Sequence, residues 1–521
     1  MSNKFDIVID NGRVMDPETM YDVVSNVGIK DGRIAVITRE KISGKETIDA
    51  TGHVVAPGFI DTHFHYPRPM GYKLALRDGR TSIMDLEFGT LGTYMDQWYK
   101  DREETTQVNY GAASCHELAR SLVLDGATAN DAPEAVKTRG AGNGWSTKQV
   151  DLEEGNKILQ VIDEGLQAGG LGIGSTLAYM RDGVSAREVF ELQKLAGLYG
   201  RQTGFHFRYT PGTEAMEVNG IQEMLANAAA LGAPALACHF NNPGYNLVHE
   251  LLIRMRARGM NVWGEVYPYR AGSTAINAVF LEPEYWVKKM GYKYEETLQD
   301  VLTGEWYTQQ TREEMLKKEP VRLVIIYKMP ESAIIDWLRM RGVSIASDTM
   351  PILADWVTWD TPYEDLPNSH PRGAASYAKT LRLGRENDIP LMQNLAQLSY
   401  NSAKPLGDMG LKAMQERGRM QVGKIADITV FDPKTVTDNA TYAKGTLPST
   451  GIPYVVVNGT IVVKDSQVLK DVNPGQPIRF EPEARGRFEL LSVEAWKLIY
   501  TVSSVDPGGT EPYGVHGIDC C

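Results

Sequence analysis

Cysteine is scarce: the 521 residues hold four, Cys115, Cys238 and the adjacent pair Cys520–Cys521. That is no disulfide framework for a chain of this length, so a reducing, cytoplasmic setting is expected. Long apolar runs are missing too. None approaches the roughly 18–20 residues that cross a bilayer. The opening MSNKFDIVIDNG lacks the apolar core of a signal peptide. Positive charge is in deficit: 54 Lys and Arg against 66 Asp and Glu leave a net charge of −12. Without a basic stripe the chain is a poor partner for nucleic acid or an anionic membrane, which leaves a small-molecule substrate. Internal repeats and low-complexity tracts are absent as well. The remaining composition, 42% hydrophobic and 23% charged, is that of a globular protein.

The chain is β-rich at both ends and mixed between them. In residues 1–56, FDIVI and RVMD flank Asn11-Gly12, a hairpin signal, and a second tight turn is expected at Asp31-Gly32. From 57 to 415, short apolar runs (TSIMDLEFG, VNYGAAS, GLGIGST, TGFHFR, PALACHF, NVWGEVYPY, VRLVIIY, VSIASD) alternate with helical segments such as NKILQVIDEGLQAG. Eight strands alternating with helices predict an α/β fold, a closed (β/α)8 barrel. Residues 416–475 return to strands, with another Asn-Gly hairpin in YVVVNGTIVVKDSQVL. The two ends are expected to pair into one small β-sandwich. Residues 476–521, rich in Pro and Gly, read as an extended tail.

Histidines at strand ends carry the chemistry. His63 and His65 close the run VVAPGFIDTHFH, and residues i and i+2 of a strand face the same side. His206 lies toward the end of the run TGFHFR, His239 toward the end of ALACHF, and Asp348 closes VSIASD. A parallel barrel gathers its strand C-termini on one face, so these five side chains converge there as a metal site.

With those residues in place, the chain resembles the amidohydrolase superfamily, and within it the N-acyl-D-amino-acid deacylase (D-aminoacylase) group. The resemblance runs to about residue 470 through DIVIDNGRVMDPET, APGFIDTHFH, VNYGAASCHELAR, GEVYPYRAGST, IASDTMP, HPRGAASYAKTL and GRMQVGKIADITVFDPKTV. It implies the same barrel with a sandwich built from both ends. It also implies that His63, His65, His206, His239 and Asp348 bind one or two metal ions, with Asp348 handling protons. Imidazoles and carboxylates suit Zn²⁺. A homo-oligomer is expected.

The chain departs from that group in two places. The cysteine ligand usual after the second strand is absent from TSIMDLEFGTLG. Glu87 is the natural substitute, Asp85 lies two residues earlier on the same face, and Phe88 could instead occupy the cysteine position. A bridging carboxylate would favour two metals. The lysine that usually follows the sixth-strand histidine is Asn241 here, which leaves selectivity for D-amino acids open. Arg372 in HPRG resembles a carboxylate anchor. His116 and Tyr267 are further candidates for substrate contact, and Tyr269 for pocket lining or packing. Cys238, beside His239, is expected to pack behind the barrel. His53, His249 and His516 receive no role. The expected activity is hydrolysis of an amide bond in a small carboxylate-bearing molecule, with cyclic amides or lactones as the alternative. A non-catalytic barrel is disfavoured, because the ligand set is complete.

Overall fold

A computed structural model describes residues 4–140, 143–208 and 220–493. The N-terminal strands are β1 (Phe5–Asp16), β2 (Tyr21–Lys30), β3 (Arg33–Thr38), β4 (Gly44–Asp49) and β5 (Val54–Pro57). Seven short strands follow: β6 (Phe59–Asp61), β7 (Arg80–Thr90), β8 (Asn109–Cys115), β9 (Gly172–Ser175), β10 (Gln202–Phe205), β11 (Ala235–Ala237) and β12 (Val262–Val266). Next come β13 (Ala271–Ala275), β14 (Leu298–Asp300), β15 (Leu323–Tyr327) and β16 (Ser344–Ile345). The C-terminal strands are β17 (Ile428–Phe431), β18 (Tyr454–Val457), β19 (Thr460–Lys464) and β20 (Gln467–Val468).

Strands β6 to β12 and β16 form an eight-stranded parallel sheet in sequence order. A parallel bridge between Phe64 and Thr349 joins its first and last strands and closes the barrel. Asp61 reinforces the seam by accepting from the Ser347 amide (3.0 Å) and from Arg80 Nη1 (2.9 Å). The helices between strands follow their apolar periodicity. Leu152–Gln167, for example, opens on a capping box made by Asp151 and Glu154.

The barrel has the expected eight strands but not the expected membership. VRLVIIY is not a barrel strand. As β15 it pairs antiparallel with β13 and β14 in a three-stranded sheet inserted between the seventh and eighth barrel strands. An apolar run buried on both faces reads alike in either setting. The short FID segment supplies the missing strand.

The two chain ends share one nine-stranded sheet through the antiparallel β5–β17 pair, around a core that includes Ile9, Val27, Val55, Ile428 and Val456. Asp31-Gly32 and Asn458-Gly459 both have positive φ and make the expected two-residue hairpins. Asn11-Gly12 does not. β1 runs through it, and Asn11, at φ 59°, forms a bulge in the pairing with β2. A side chain at Gly12 would strike Val55 at 2.3 Å, so glycine is required there for packing rather than for a turn. The described part of the tail docks on the barrel: Ile478 N donates to Tyr110 O (2.7 Å) and Phe480 N to Gly169 O (2.9 Å). Cys520, Cys521 and His516 lie outside the described residues.

Candidate metal centre and substrate cavity

The converging side chains leave the C-terminal ends of the barrel strands. His63 and His65 follow β6, Asp85 and Glu87 lie in β7, His206 follows β10, His239 follows β11, Glu265 lies in β12 and Asp348 follows β16. His239 (φ 27°) and Asp348 (φ 53°) both hold left-handed backbone conformations. Such conformations are costly for residues other than glycine, and surrounding structure must impose them.

Glu87 is the hub. Its Oε2 lies 3.2 Å from His63 Nε2 and 3.5 Å from His65 Nε2. Its Oε1 lies 2.6 Å from His239 Nε2 and 3.2 Å from His206 Nδ1. One carboxylate therefore faces two histidine pairs, one with each oxygen. Asp348 Oδ1 is 3.5 Å from both His63 Nε2 and His65 Nε2. Among the described residues four sets of donor atoms are close enough to share an ion: His63, His65 and Glu87; Glu87, His206 and His239; His63, His239 and Asp348; and His63, Cys238 and Glu265.

The chemistry of these donors fits a cation. His63 Nδ1 donates to Glu265 Oε1 (2.6 Å) and His65 Nδ1 to Asp85 Oδ2 (2.8 Å), because carboxylates only accept. The Nε2 atoms of the neutral rings then carry lone pairs, yet they lie 2.9 Å apart. Two lone pairs at that distance need a positive charge between them, either a proton or a metal. Glu87 Oε1 is buried, and although it lies close to two ring nitrogens, neither contact has hydrogen-bond geometry. Asp85, the alternative to Glu87, instead orients His65, in the usual outer position of a carboxylate–histidine–metal arrangement.

The electrostatics follow. Burial lowers the pKa values of His63 and His65, but Glu87, Asp348 and Glu265 around the first, and Asp85 and Asp348 around the second, hold both well above the ordinary imidazole value. Burial raises Glu87, yet His63, His239 and His206 keep it well below the usual carboxylate range. Burial and then His239 push His206 down to about 4. Asp348 stays ionised: burial opposes this, but Arg372 and His63 prevail.

The cluster opens on a cavity whose lining includes His206, His239, Tyr267, Lys328, Asp348 and Arg372. Arg372 is buried at the start of the helix Arg372–Glu386. Its Nη2 donates to Asp348 Oδ1 (2.9 Å), and its guanidinium lies 4.8 Å from the Tyr267 ring centre. Tyr269 packs away from this cavity, edge-on to His370 and Tyr442.

Two expectations are not met. His116 is fully buried, with its ring nitrogens spent on Ser175 Oγ (2.8 Å) and Glu188 Oε1 (2.9 Å), and it does not line the cavity. As the first residue of the helix His116–Asp125 it joins structural partners rather than a substrate. Cys238 does not pack behind the barrel. Its sulfur lies within reach of His63 and Glu265 under the cluster. Strand alternation fails there because β11 ends at Ala237 and the backbone turns at His239. Glu265 and Lys328 were not anticipated. Glu265 has a signal in hindsight, as an acidic residue in the otherwise apolar strand VWGEV.

Fold and site together define a metal-dependent hydrolase barrel. Over nearly its whole length the chain is similar to the D-aminoacylase-like group of the amidohydrolase superfamily. It is 26% identical over 525 residues to N-acyl-D-glutamate deacylase of Alcaligenes xylosoxydans xylosoxydans, spanning 94% of this chain and 100% of that one. It is 24% identical to D-aminoacylase of the same organism over 500 residues, 88% of this chain and 95% of that one. Its fold matches the crystal structure of N-acyl-D-glutamate deacylase from Bordetella bronchiseptica in complex with zinc and a phosphonate inhibitor. That match has a TM-score of 0.72 and 24% identity, and covers 91% of this chain and 100% of that one. No protein-family model matches the chain.

Proposed function

We propose that this protein is a zinc-dependent amidohydrolase that cleaves the amide bond of small carboxylate-bearing molecules of the N-acyl amino acid type. One observation carries the reading: Glu87 presents one oxygen to His63 and His65 and the other to His206 and His239, and His206, His239 and Asp348 line a cavity that also holds Arg372. Full-length similarity to deacylases supports it.

On this reading His63, His65, Glu87, His206, His239 and Asp348 would hold one or two zinc ions, with Glu87 facing both histidine pairs. When bound, zinc supplies Lewis acidity, which polarises a carbonyl and makes water acidic near neutral pH. The protein's own groups do the rest. Asp348, ionised and fixed by Arg372, accepts the proton of the attacking water at its carboxylate and returns it to the leaving nitrogen. Glu265 and Asp85 lock the ring orientation of His63 and His65. Arg372 and Tyr267 orient the substrate carboxylate. The protein acts in the cytoplasm as a homo-oligomer, and the two described cysteines, free and buried, support the reducing setting.

A hydrolysis screen with zinc-loaded protein tests the proposal, using N-acyl-D- and N-acyl-L-amino acids, hydantoins, lactams and lactones. Turnover of an N-acyl amino acid is the expected result. Turnover confined to a cyclic amide or lactone would replace the linear substrate, and turnover of none would reject the class.

A further inference from the structure

The inserted sheet carries a second cation into the cavity. Lys328 directly follows β15, lines the cavity wall and donates from Nζ to Asn242 Oδ1 (2.5 Å). It is half-buried, and among the described residues it forms no ion pair, so its charge is available to an anion in the cavity. Asn242 is itself tied to the metal-facing strand end, donating from Nδ2 to His239 O (3.0 Å).

Gly272, on β13 opposite Ile326, shows what the cation faces. A Cβ built there would lie 3.0 Å from Tyr267 Oη, 3.8 Å from Arg372 Nη1 and 3.9 Å from Lys328 Cε. The missing side chain leaves a hollow bounded by a phenol, a guanidinium and a lysine. Donors around it are unspent. Arg372 Nε and the neighbouring Ser273 hydroxyl are buried without hydrogen-bond partners among the described residues.

We propose that Lys328 is a specificity-determining residue: with Arg372 and Tyr267 it forms a cradle over Gly272 that seats the carboxylate of the substrate. This deepens the deacylase reading and rests on it for the identity of that substrate. Arg372 already spends Nη2 on Asp348, so an arriving carboxylate needs a further cation to be both charge-balanced and held. The adjoining walls, with Phe280 and Trp286, suit an apolar group beside the acid.

Binding rather than turnover tests the cradle. Calorimetry on the zinc-loaded protein compares phenylacetate with its neutral twin, phenylacetamide. Wild type should prefer the acid. Lys328→Met and Gly272→Ala should each weaken the acid by about 10- to 100-fold, as expected for loss of a charge-assisted bond, and leave the amide unchanged. Lys328→Arg should recover most of the loss, and zinc content and thermal unfolding should match wild type. Equal phenylacetate affinity in Lys328→Met and wild type would overturn the proposal, as would no preference for the acid in wild type. If the deacylase reading alone were wrong, these binding differences would persist while no N-acyl amino acid is hydrolysed.

Discussion

The two histidine pairs of the centre are built differently. His63 and His65 are each braced from behind by a carboxylate, Glu265 and Asp85, and the side chain of His63 is completely buried. His206 and His239 contact each other (3.1 Å) and share Glu87, with no other carboxylate paired to either among the described residues. The His206 side chain is 19% exposed. A braced imidazole has a fixed tautomer and greater basicity, so it binds metal more tightly. The first pair is therefore predicted to form the stronger half of the centre and the second the weaker half, with Glu87 between them. Burial alone does not account for this difference, because His239 is nearly as enclosed as His65.

The largest effect should come from the group that serves both halves. Asp348→Asn keeps the shape but removes the base, and kcat should drop by on the order of 10²–10⁴, with a smaller change in metal content. Near-normal kcat would remove Asp348 from that role. Glu87→Ala should lose at least one metal per chain by elemental analysis, and Asp85→Ala should lose less. The reverse ranking would make Asp85 the ligand.

Glu265→Gln sharpens the comparison. Loss of an outer carboxylate typically costs about 10- to 100-fold in metal affinity or activity, and the loss should fall on the His63/His65 half. If zinc binding at the weaker half suffers instead, the ranking of the halves is wrong. Arg372→Ala should raise KM for a carboxylate substrate and also lower kcat, since Arg372 fixes Asp348. Arg372→Lys should also be impaired, because lysine lacks the fork.

The smallest effect is one of pH. Burial, with Arg372 adding to it and Asp348 opposing, brings Lys328 down to about 8. The ammonium is present below that value and is lost above it. Affinity for phenylacetate should therefore fall as pH rises through about 8, and Lys328→Arg should flatten the profile. An unchanged profile in that variant would assign the titration elsewhere.

Much of the centre was legible in the sequence because it obeys local rules. His63 and His65 are paired by strand periodicity, and His206, His239 and Asp348 each lie at or toward the end of an apolar run. Glu87 was legible as the acidic residue standing where the resemblance leads one to expect cysteine. What escaped depends on packing between segments distant in sequence. Glu265 meets His63 only because the seventh barrel strand lies across from the first, 202 residues away. Lys328 reaches the cavity on a sheet whose main strand, VRLVIIY, looked like part of the barrel. Cys238 was misplaced because strand alternation was extended past the point where the strand ends. The (β/α)8 class survived these errors because it rests on the alternation of elements and not on the membership of any one strand.

The account stands or falls on whether the strand-end cluster is a metal centre that hydrolyses amides. The most direct measurement is a zinc titration of chelator-stripped protein, following hydrolysis of an N-acyl amino acid and bound zinc together. Activity should be absent without metal, should return as the first zinc per chain binds, and should not return in Glu87→Ala. Full activity in metal-free protein, or full recovery in Glu87→Ala, would contradict it.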